Sequence, residues 1–338
     1  MDKYHTVLIA LLYVLIFIAG CQQAEHISAE PNKAETHIAE TDKTEPSEIK
    51  LFKIEPSQTE SPKTEPNKVK SNEVESVTLR SRVSFHNKCA DILNSFVDRN
   101  GLVDYAMLRR KRLELRKLLN EFDDLDPYEY NSWPKPDKIA FWINAYNIQM
   151  LNIIIENYPI QASRFLSLIY GPYSIRHIKG IWTDYKFMVM DEEFTLGEIQ
   201  QRFFHKQFDE PRVFLALTNA SLSGPILRDE PYSGHKLEEQ LANQTKRFLS
   251  SPQGFKIDRE NQIAYLSAIF QPNWCGKEFI SKFSTDKKFK DQAPATRAVL
   301  NFIANYISDR DVSFLEVGNY TVKYIKYDWT INDGSINP

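Results

Sequence analysis

The sequence predicts an α+β domain in which a helix-rich N-terminal part packs on a small, mainly antiparallel sheet. Three observations carry that expectation. Between residues 83 and 158 the apolar residues recur at helical spacing. After about residue 185 short apolar runs bounded by turn residues take over. Residues 78–338 are long enough for one domain with a sizeable core, and no second linker interrupts them.

Val83, Ile92, Leu93, Phe96 and Val97 mark a first amphipathic helix, which Asn100-Gly101 ends in the manner of a C-cap. Leu108, Leu113, Leu115, Leu118 and Phe122 predict a second, rich in Arg and Lys. A third starts near Pro136-Asp137, where a proline and an acid suit a first turn, and runs to Tyr158 before Pro159. Residues 185–190 read as a strand entering a turn, and Thr195 with Glu198 forms a capping box for a short helix. Residues 212–218 are most simply a buried strand, with a helical segment as the alternative. Residues 237–249 form an amphipathic helix, residues 256–258 and 262–266 a hairpin, and residues 296–307 another helix. Residues 312–317 and 320–327 predict a closing hairpin turned at Gly318-Asn319.

The first 20 residues read as a lipoprotein signal peptide. A basic start, MDKYH, precedes an apolar run from Thr6 to Ala19 that is short for a permanent bilayer helix. Ile18-Ala19-Gly20-Cys21 resembles the bacterial lipobox, in which the cysteine is acylated, commonly with palmitate, after cleavage just before it. An ordinary secretory signal or an uncleaved anchor is the alternative. Each buried methylene contributes about 0.8 kcal/mol, so two or three chains on Cys21 would hold the protein on a membrane. Gln22, in place of Asp, directs such a protein in a Gram-negative cell envelope to the periplasmic side of the outer membrane.

Residues 21–77 turn to Glu, Lys, Thr, Pro and Ser, with the near-repeats AEPNK, KTEPSE, KIEPSQ and KTEPNK. Such a segment cannot bury enough apolar surface to offset chain entropy, and reads as a disordered tether. Fully extended it would reach on the order of 180 Å. The expected partners are a membrane, through the lipid, and an envelope protein or peptidoglycan. A net charge of -3 without a basic cluster argues against nucleic acid. Of the remaining cysteines, Cys89 lies in a helical pattern where lone thiols are usually small buried hydrophobes. Cys275 reads as a loop residue near Lys277, whose charge can lower a thiol pKa, and a bond between the two is geometrically open in an oxidising compartment.

Six segments occur in an order that resembles the domain of unknown function 547 family: GLVDYAML, FWINAYN, ALTNASLSGPIL, DEPYSGHKLEEQL, YLSAIF and YDWTIN. The family's central segment runs close to HFALNCASLSCPPL. Phe214 therefore stands where a histidine is usual, and Asn219 and Gly224 where cysteines are usual. An earlier family segment, close to LxDIEHxxLR, reads LGEIQQRFFH here, which puts Gln200 and Gln201 at the acid and base positions and His205 near the usual arginine. A glutamine exchanges no proton near neutral pH and an asparagine forms no thiolate. The resemblance thus implies neither a cysteine nucleophile with a histidine base nor a Cys/His/Glu metal site at these positions, and no cofactor is expected. Two cysteines at C-x4-C in exported relatives can equally be a disulfide, whose joint loss would cost stability alone. That alternative leaves Phe214, Gln200 and Gln201 unexplained.

The candidate binding residues are Asn144 and Asn147, which can also bond the backbone of a neighbouring loop, together with Asn219, Arg228 and Tyr232. Substitute catalysis would need Ser223, on a turn with Gly224-Pro225 that exposes its hydroxyl, or Cys275 as nucleophile. His205, His177 or His235 would serve as base, with Asp328 as a third member or simply a buried anchor. The function expected is that of an exported, lipid-anchored, non-catalytic binding or interaction domain. The alternatives are an active hydrolase or transferase using Ser223 or Cys275, and a structural envelope spacer.

If Cys21 carries the anchor, Cys21→Ser will move the full chain from the membrane pellet to the soluble fraction on ultracentrifugation. Continued sedimentation with membranes would exclude acylation as the anchor.

Overall fold

One central helix organises the molecule. The computed structural model describes residues 85–164 and 166–336, so the signal, Cys21 and the tether lie outside the described residues. Helix α1 covers residues 85–96. It is followed by α2 (Tyr105–Arg110), α3 (Arg112–Asp123), α4 (Pro127–Ser132) and α5 (Lys135–Glu156). Asp104 and Asp126 cap α2 and α4 by accepting from Met107 and Tyr128 N–H. Sixteen of the 22 residues of α5 are buried, including Trp142, Ile143, Tyr146 and Ile148. A helix apolar on every side belongs in the middle of a fold, and α5 is accordingly enclosed by its neighbours.

The second half carries β1 (Phe187–Val189) and β2 (Glu192–Phe194), α6 (Leu196–Ile199), α7 (Leu237–Leu249), β3 (Phe255–Asp258) and β4 (Ile263–Leu266). It ends in α8 (Pro272–Phe283), α9 (Pro294–Ile303), α10 (Asp309–Val317) and β5 (Thr321–Tyr324). Strands β1 and β2 form an antiparallel pair whose two-residue turn places Met190 and Asp191 at positive φ, the backbone hand that matches strand twist. Strands β3 and β4 are antiparallel, and β5 joins β4 in parallel, Ile263 opposite Thr321 and Leu266 opposite Tyr324. The class is α+β with small, mainly antiparallel sheets, and helices recur in the C-terminal half as well.

Two aromatic-rich cores fill the interior. Around α5, Trp142 stacks on Phe203 at 3.6 Å and meets Phe141 and Phe194 edge-on. The second core gathers Phe248, Phe270, Phe279 and Phe302 between α7, α8, α9 and the three-stranded sheet. Among the described residues no helix is long and apolar enough to cross a membrane.

Several elements differ from the sequence expectation. Residues 212–218 are no strand: Pro211–Leu215 is a 3-10 helix, its N-terminus capped by Glu210, because a proline and a local acid favour a tight turn over a ladder. The closing hairpin is absent. Residues 309–317 form α10, capped by Ser308, and Gly318 ends it at φ +78 in the left-handed region. The glycine taken as a hairpin turn is therefore a helix C-cap, and the strand after it pairs parallel. The expected second helix is two, parted at Lys111. Cys275 sits on α8 and not in a loop, just before a break at Gly276. Cys89 and Cys275 are both free and buried, one in each core.

A π-helix at Gln200–Gln207 continues α6; from there to α7 the chain carries only short 3-10 helices, and buried amide side chains hold it. Asn147 Nδ2 donates to Ala216 O at 3.0 Å while its Oδ1 accepts from Thr218 N at 2.9 Å. One turn earlier, Asn144 Nδ2 donates to Tyr232 O at 2.8 Å and its Oδ1 accepts from Tyr232 N at 2.9 Å. From α7, Gln244 donates to Leu215 O and Ile226 O, and Gln240 donates to Pro231 O while accepting from Ser233 N. These amides supply the partners that a sheet would otherwise give to buried backbone. Asn147→Ala will strand a buried carbonyl and a buried N–H, and should lower unfolding free energy by about 2–4 kcal/mol in a denaturant titration.

Candidate functional site

The C-terminal motif YDWTIN is laced between three other segments. Trp329 O accepts from Ile175 N, Leu222 N donates to Thr330 O, Ser223 N donates to Asp328 O, and Val103 N donates to Asn332 O. Asn332 ties the early motif to the same place, since its Nδ2 donates to Gly101 O and its Oδ1 accepts from Tyr105 Oη, each at 2.8 Å. Gly101 is at φ +80, and a Cβ there would lie 2.5 Å from Ile226 Cγ2. Only glycine meets both demands. The segments GLVDYAML, ALTNASLSGPIL and YDWTIN, distant in sequence, thus form one assembly.

Tyr327 occupies its centre. Its hydroxyl accepts from Asn219 Nδ2 at 3.2 Å and shares a hydrogen bond with Ser221 Oγ at 2.8 Å. On the side of α5, Tyr146 Oη accepts from Gln200 Nε2 at 3.3 Å, and the Trp182 indole is a further donor to it. Burial pushes both phenols above their ordinary range. Each therefore stays protonated at neutral pH, acting as a hydrogen-bonding group and not as a base. Gln200 and Asn219, two of the substituted positions, each donate to a tyrosine hydroxyl, Gln200 to Tyr146 and Asn219 to Tyr327. Phe214, a third, points elsewhere. Its ring packs at 5.4–5.8 Å from Phe279 and Phe270, in the second core. Gln201 is exposed.

The other candidates are placed as follows. Ser223 is buried, and its Oγ accepts from Asp328 N at 2.8 Å, so the turn does not expose the hydroxyl as expected. Asp328 is exposed and not a buried anchor; its carboxylate accepts from Thr330 N. Cys275 Sγ donates weakly to Phe270 O at 3.6 Å, and burial pushes the thiol up to about 11, opposite to any lowering by Lys277. His205 faces Glu278 across 3.8 Å and packs against the backbone at Gly276, while His177 Nε2 bonds Gly171 O. Among the described residues neither Ser223 nor Cys275 has a histidine partner. Arg228 pairs with Glu230 and donates to Asn243, with its guanidinium 5.8 Å from the Tyr232 ring, and that ring is buried. Asn144 and Asn147 spend their amides on the backbone bonds described above.

Among the described residues no three His, Cys, Asp or Glu side chains are grouped to hold a metal ion. Neither Tyr146 nor Tyr327 lines the cavities of about 360 and about 290 Å³. Arg109, Glu156, Tyr158 and His177 help line the first, and Phe85, Asp124, Trp133 and Phe141 the second.

Half-buried aromatic rings crowd beside Tyr327 and were missed as site residues. Trp329 lies 4.3 Å from Tyr327 and 5.5 Å from Trp274, with Trp182 at 6.2 Å. The Arg176 guanidinium sits 5.0 Å from the Trp329 ring and 5.2 Å from that of Tyr170. Tyr327 and Trp329 stand inside a motif, and Trp274 precedes Cys275, so attention to their rings would have found them. Trp182 and Arg176 carry no local signal.

Residues 130–249 match the model of the family described as "Protein of unknown function, DUF547". The match takes in FWINAYN, LGEIQQRFFH, ALTNASLSGPIL and DEPYSGHKLEEQL, whereas GLVDYAML, YLSAIF and YDWTIN lie outside it. No curated protein and no solved structure matches the chain.

A thiol whose pKa lies near 11 in a closed core is almost wholly protonated at pH 8. Iodoacetamide at that pH should leave Cys275 unmodified in the native protein and alkylate it after unfolding in guanidinium, read by peptide mass spectrometry. Raising the pH towards 11 would increase native labelling only as the core opens.

Proposed function

We propose that this DUF547 domain is a non-catalytic binding module, carried by an exported protein that is lipid-anchored at Cys21 in a bacterial cell envelope. The observation that carries the proposal is the chemistry at the positions where the family resemblance calls for titrating groups. Phe214 is a core ring, the Gln200 amide donates to Tyr146, and Asn219 donates to Tyr327. None of these amides and phenols gains or loses a proton readily near pH 7, so general acid–base chemistry has no agent there. The frame around them is nevertheless complete, and the partly exposed Asn219 amide and Tyr327 beside half-buried indoles suit a ligand held by hydrogen bonds and ring contacts. The tether, outside the described residues, would let such a module search the space above its membrane.

The rival hydrolase draws no support from Ser223 or Cys275, whose polar atoms are occupied by backbone groups. The purified protein should show no turnover of peptide, ester or peptidoglycan-fragment panels. Turnover that Ser223→Ala or Cys275→Ala abolishes, with the thermal melt unchanged, would overturn the proposal.

A further inference from the structure

Between Glu156 and Asp184 the chain holds no acidic residue, while Arg164, Arg176 and Lys179 are basic. Within that stretch large apolar side chains face water. Leu168 is 86 % exposed, Ile169 56 %, Tyr173 54 % and Leu166 37 %, and these four make up half of the large hydrophobic residues exposed among the described residues. Folding alone gains nothing by leaving such surface in water, and apolar surface gathered at one place marks a contact. The tip is built. Ser163 O accepts from Ser167 N and from Ser167 Oγ, Leu166 O from Tyr170 N, and Ser167 O from Gly171 N, which winds one helical turn at Ser167–Tyr170. Its base is tied as well: His177 Nε2 bonds Gly171 O at 2.7 Å, Ile331 N donates to Tyr173 O, and Ile175 N donates to Trp329 O. Arg164 and Lys179, both exposed, flank the tip in sequence.

We infer that residues 164–179 dock on the surface of an anionic phospholipid bilayer, with Leu168 and Ile169 entering the acyl boundary. The step rests on the membrane-anchored reading above for the nearness of a bilayer, and it is independent of whether the module is catalytic. Hydrocarbon accepts an aliphatic tip in any orientation, and a tyrosine suits headgroup depth, where a ring meets lipid and its hydroxyl meets water. Anionic headgroups complement a stretch that carries cations and no acid, each Lys or Arg near such a surface strengthening association about fivefold. A protein partner is a poorer match, since leucine is under-represented among the anchors of protein interfaces. One loop alone holds a protein on a bilayer weakly, but a lipid at Cys21 makes docking an intramolecular step, at the effective concentration that the tether sets. Because Tyr173 and Ile175 bond the strip at residues 329–331, a docked loop holds that strip beside the bilayer and not at the far end of the tether.

The test uses the full chain reconstituted in vesicles of phosphatidylethanolamine and phosphatidylglycerol, with one new thiol carrying an environment-sensitive nitrobenzoxadiazole dye. The thiol is Leu168→Cys on the loop or, as reference, Leu113→Cys on α3, where the leucine is 64 % exposed. Cys89 and Cys275 are buried and stay unlabelled. The loop dye should shift to the blue and be quenched by brominated acyl chains, and the reference dye should do neither. Ile169→Asp should lower the ratio of docked to undocked chain about tenfold. Arg164→Gln and Lys179→Gln should each lower it about fivefold, and exchange of phosphatidylglycerol for phosphatidylcholine should lower it as well. Thermal melts identify any variant that fails to fold, and the two Gln variants, which alter exposed side chains alone, keep the test decisive. An unshifted loop dye, an equal shift at Leu113→Cys, or wild-type docking by folded Ile169→Asp would each overturn the inference. A shift that appears without vesicles and grows with protein concentration would overturn it in favour of a second copy of the chain. A chain that does not stay with the vesicles would overturn the Cys21 anchor instead. Vesicles in excess then supply the contact, where a shift confined to the loop dye upholds docking and its absence overturns it.

Discussion

The structure depends on two asparagines one helical turn apart. Asn144 and Asn147 project from the buried helix α5, and each forms a donor–acceptor pair with the backbone of an irregular segment. A stretch without ladder or helix cannot enter a core unless something else satisfies its polar groups. Side-chain amides can do so because they carry the same donor and acceptor as a peptide bond. Once residues 216–218 and 232 are pinned, the chain between them runs past Tyr327 and the C-terminal motif. The position of Asn219 and Ser221 therefore follows from amide geometry on a 22-residue helix buried along most of its length.

This explains why the specific-looking motif FWINAYN is scaffold in its physical action. Its phenylalanine and tryptophan fill the core, its two asparagines hold backbone, and its buried tyrosine accepts from Gln200. The substitutions at Phe214 and Asn219 likewise part company. Phe214 has joined an apolar core, where its quadrupole meets the edges of Phe270 and Phe279. Asn219 has remained on the polar side. The same strip of sequence thus serves apolar packing at one end and polar hydrogen bonding at the other.

Much of the fold was legible because its signals were local. The capping box at Thr195 and Glu198 is present in full, the helix at residues 237–249 was delimited by periodicity, and the long helix was bounded by prolines at both ends. The errors came where local signals have two meanings. Gly318 suits a hairpin turn or a helix C-cap, and only the upstream Ser308 cap and the parallel pairing of β5 decide between them. Apolar residues 213–217 suit a strand or a tight helix, and the latter prevails because Asn147 and Gln244 bond the backbone there from the side. The aromatic cluster beside Tyr327 was least legible. Trp182, Trp274 and Trp329 are far apart in sequence, and nothing in spacing or composition foretells that they converge.

The lacing of residues 328–333 against residues 103, 173–175 and 220–223 has a consequence in time. Contacts such as Tyr105 with Asn332 close a loop of more than two hundred residues, and loops of that size form late and slowly. The helices and the β1–β2 hairpin can assemble before that closure, but the neighbourhood of Tyr327 exists only once residues 328–333 have docked. Until then Trp182 and Trp274 lack the Trp329 ring that they meet in the folded chain. The segment at residues 328–333 is therefore the latch that closes a packed scaffold around Tyr327.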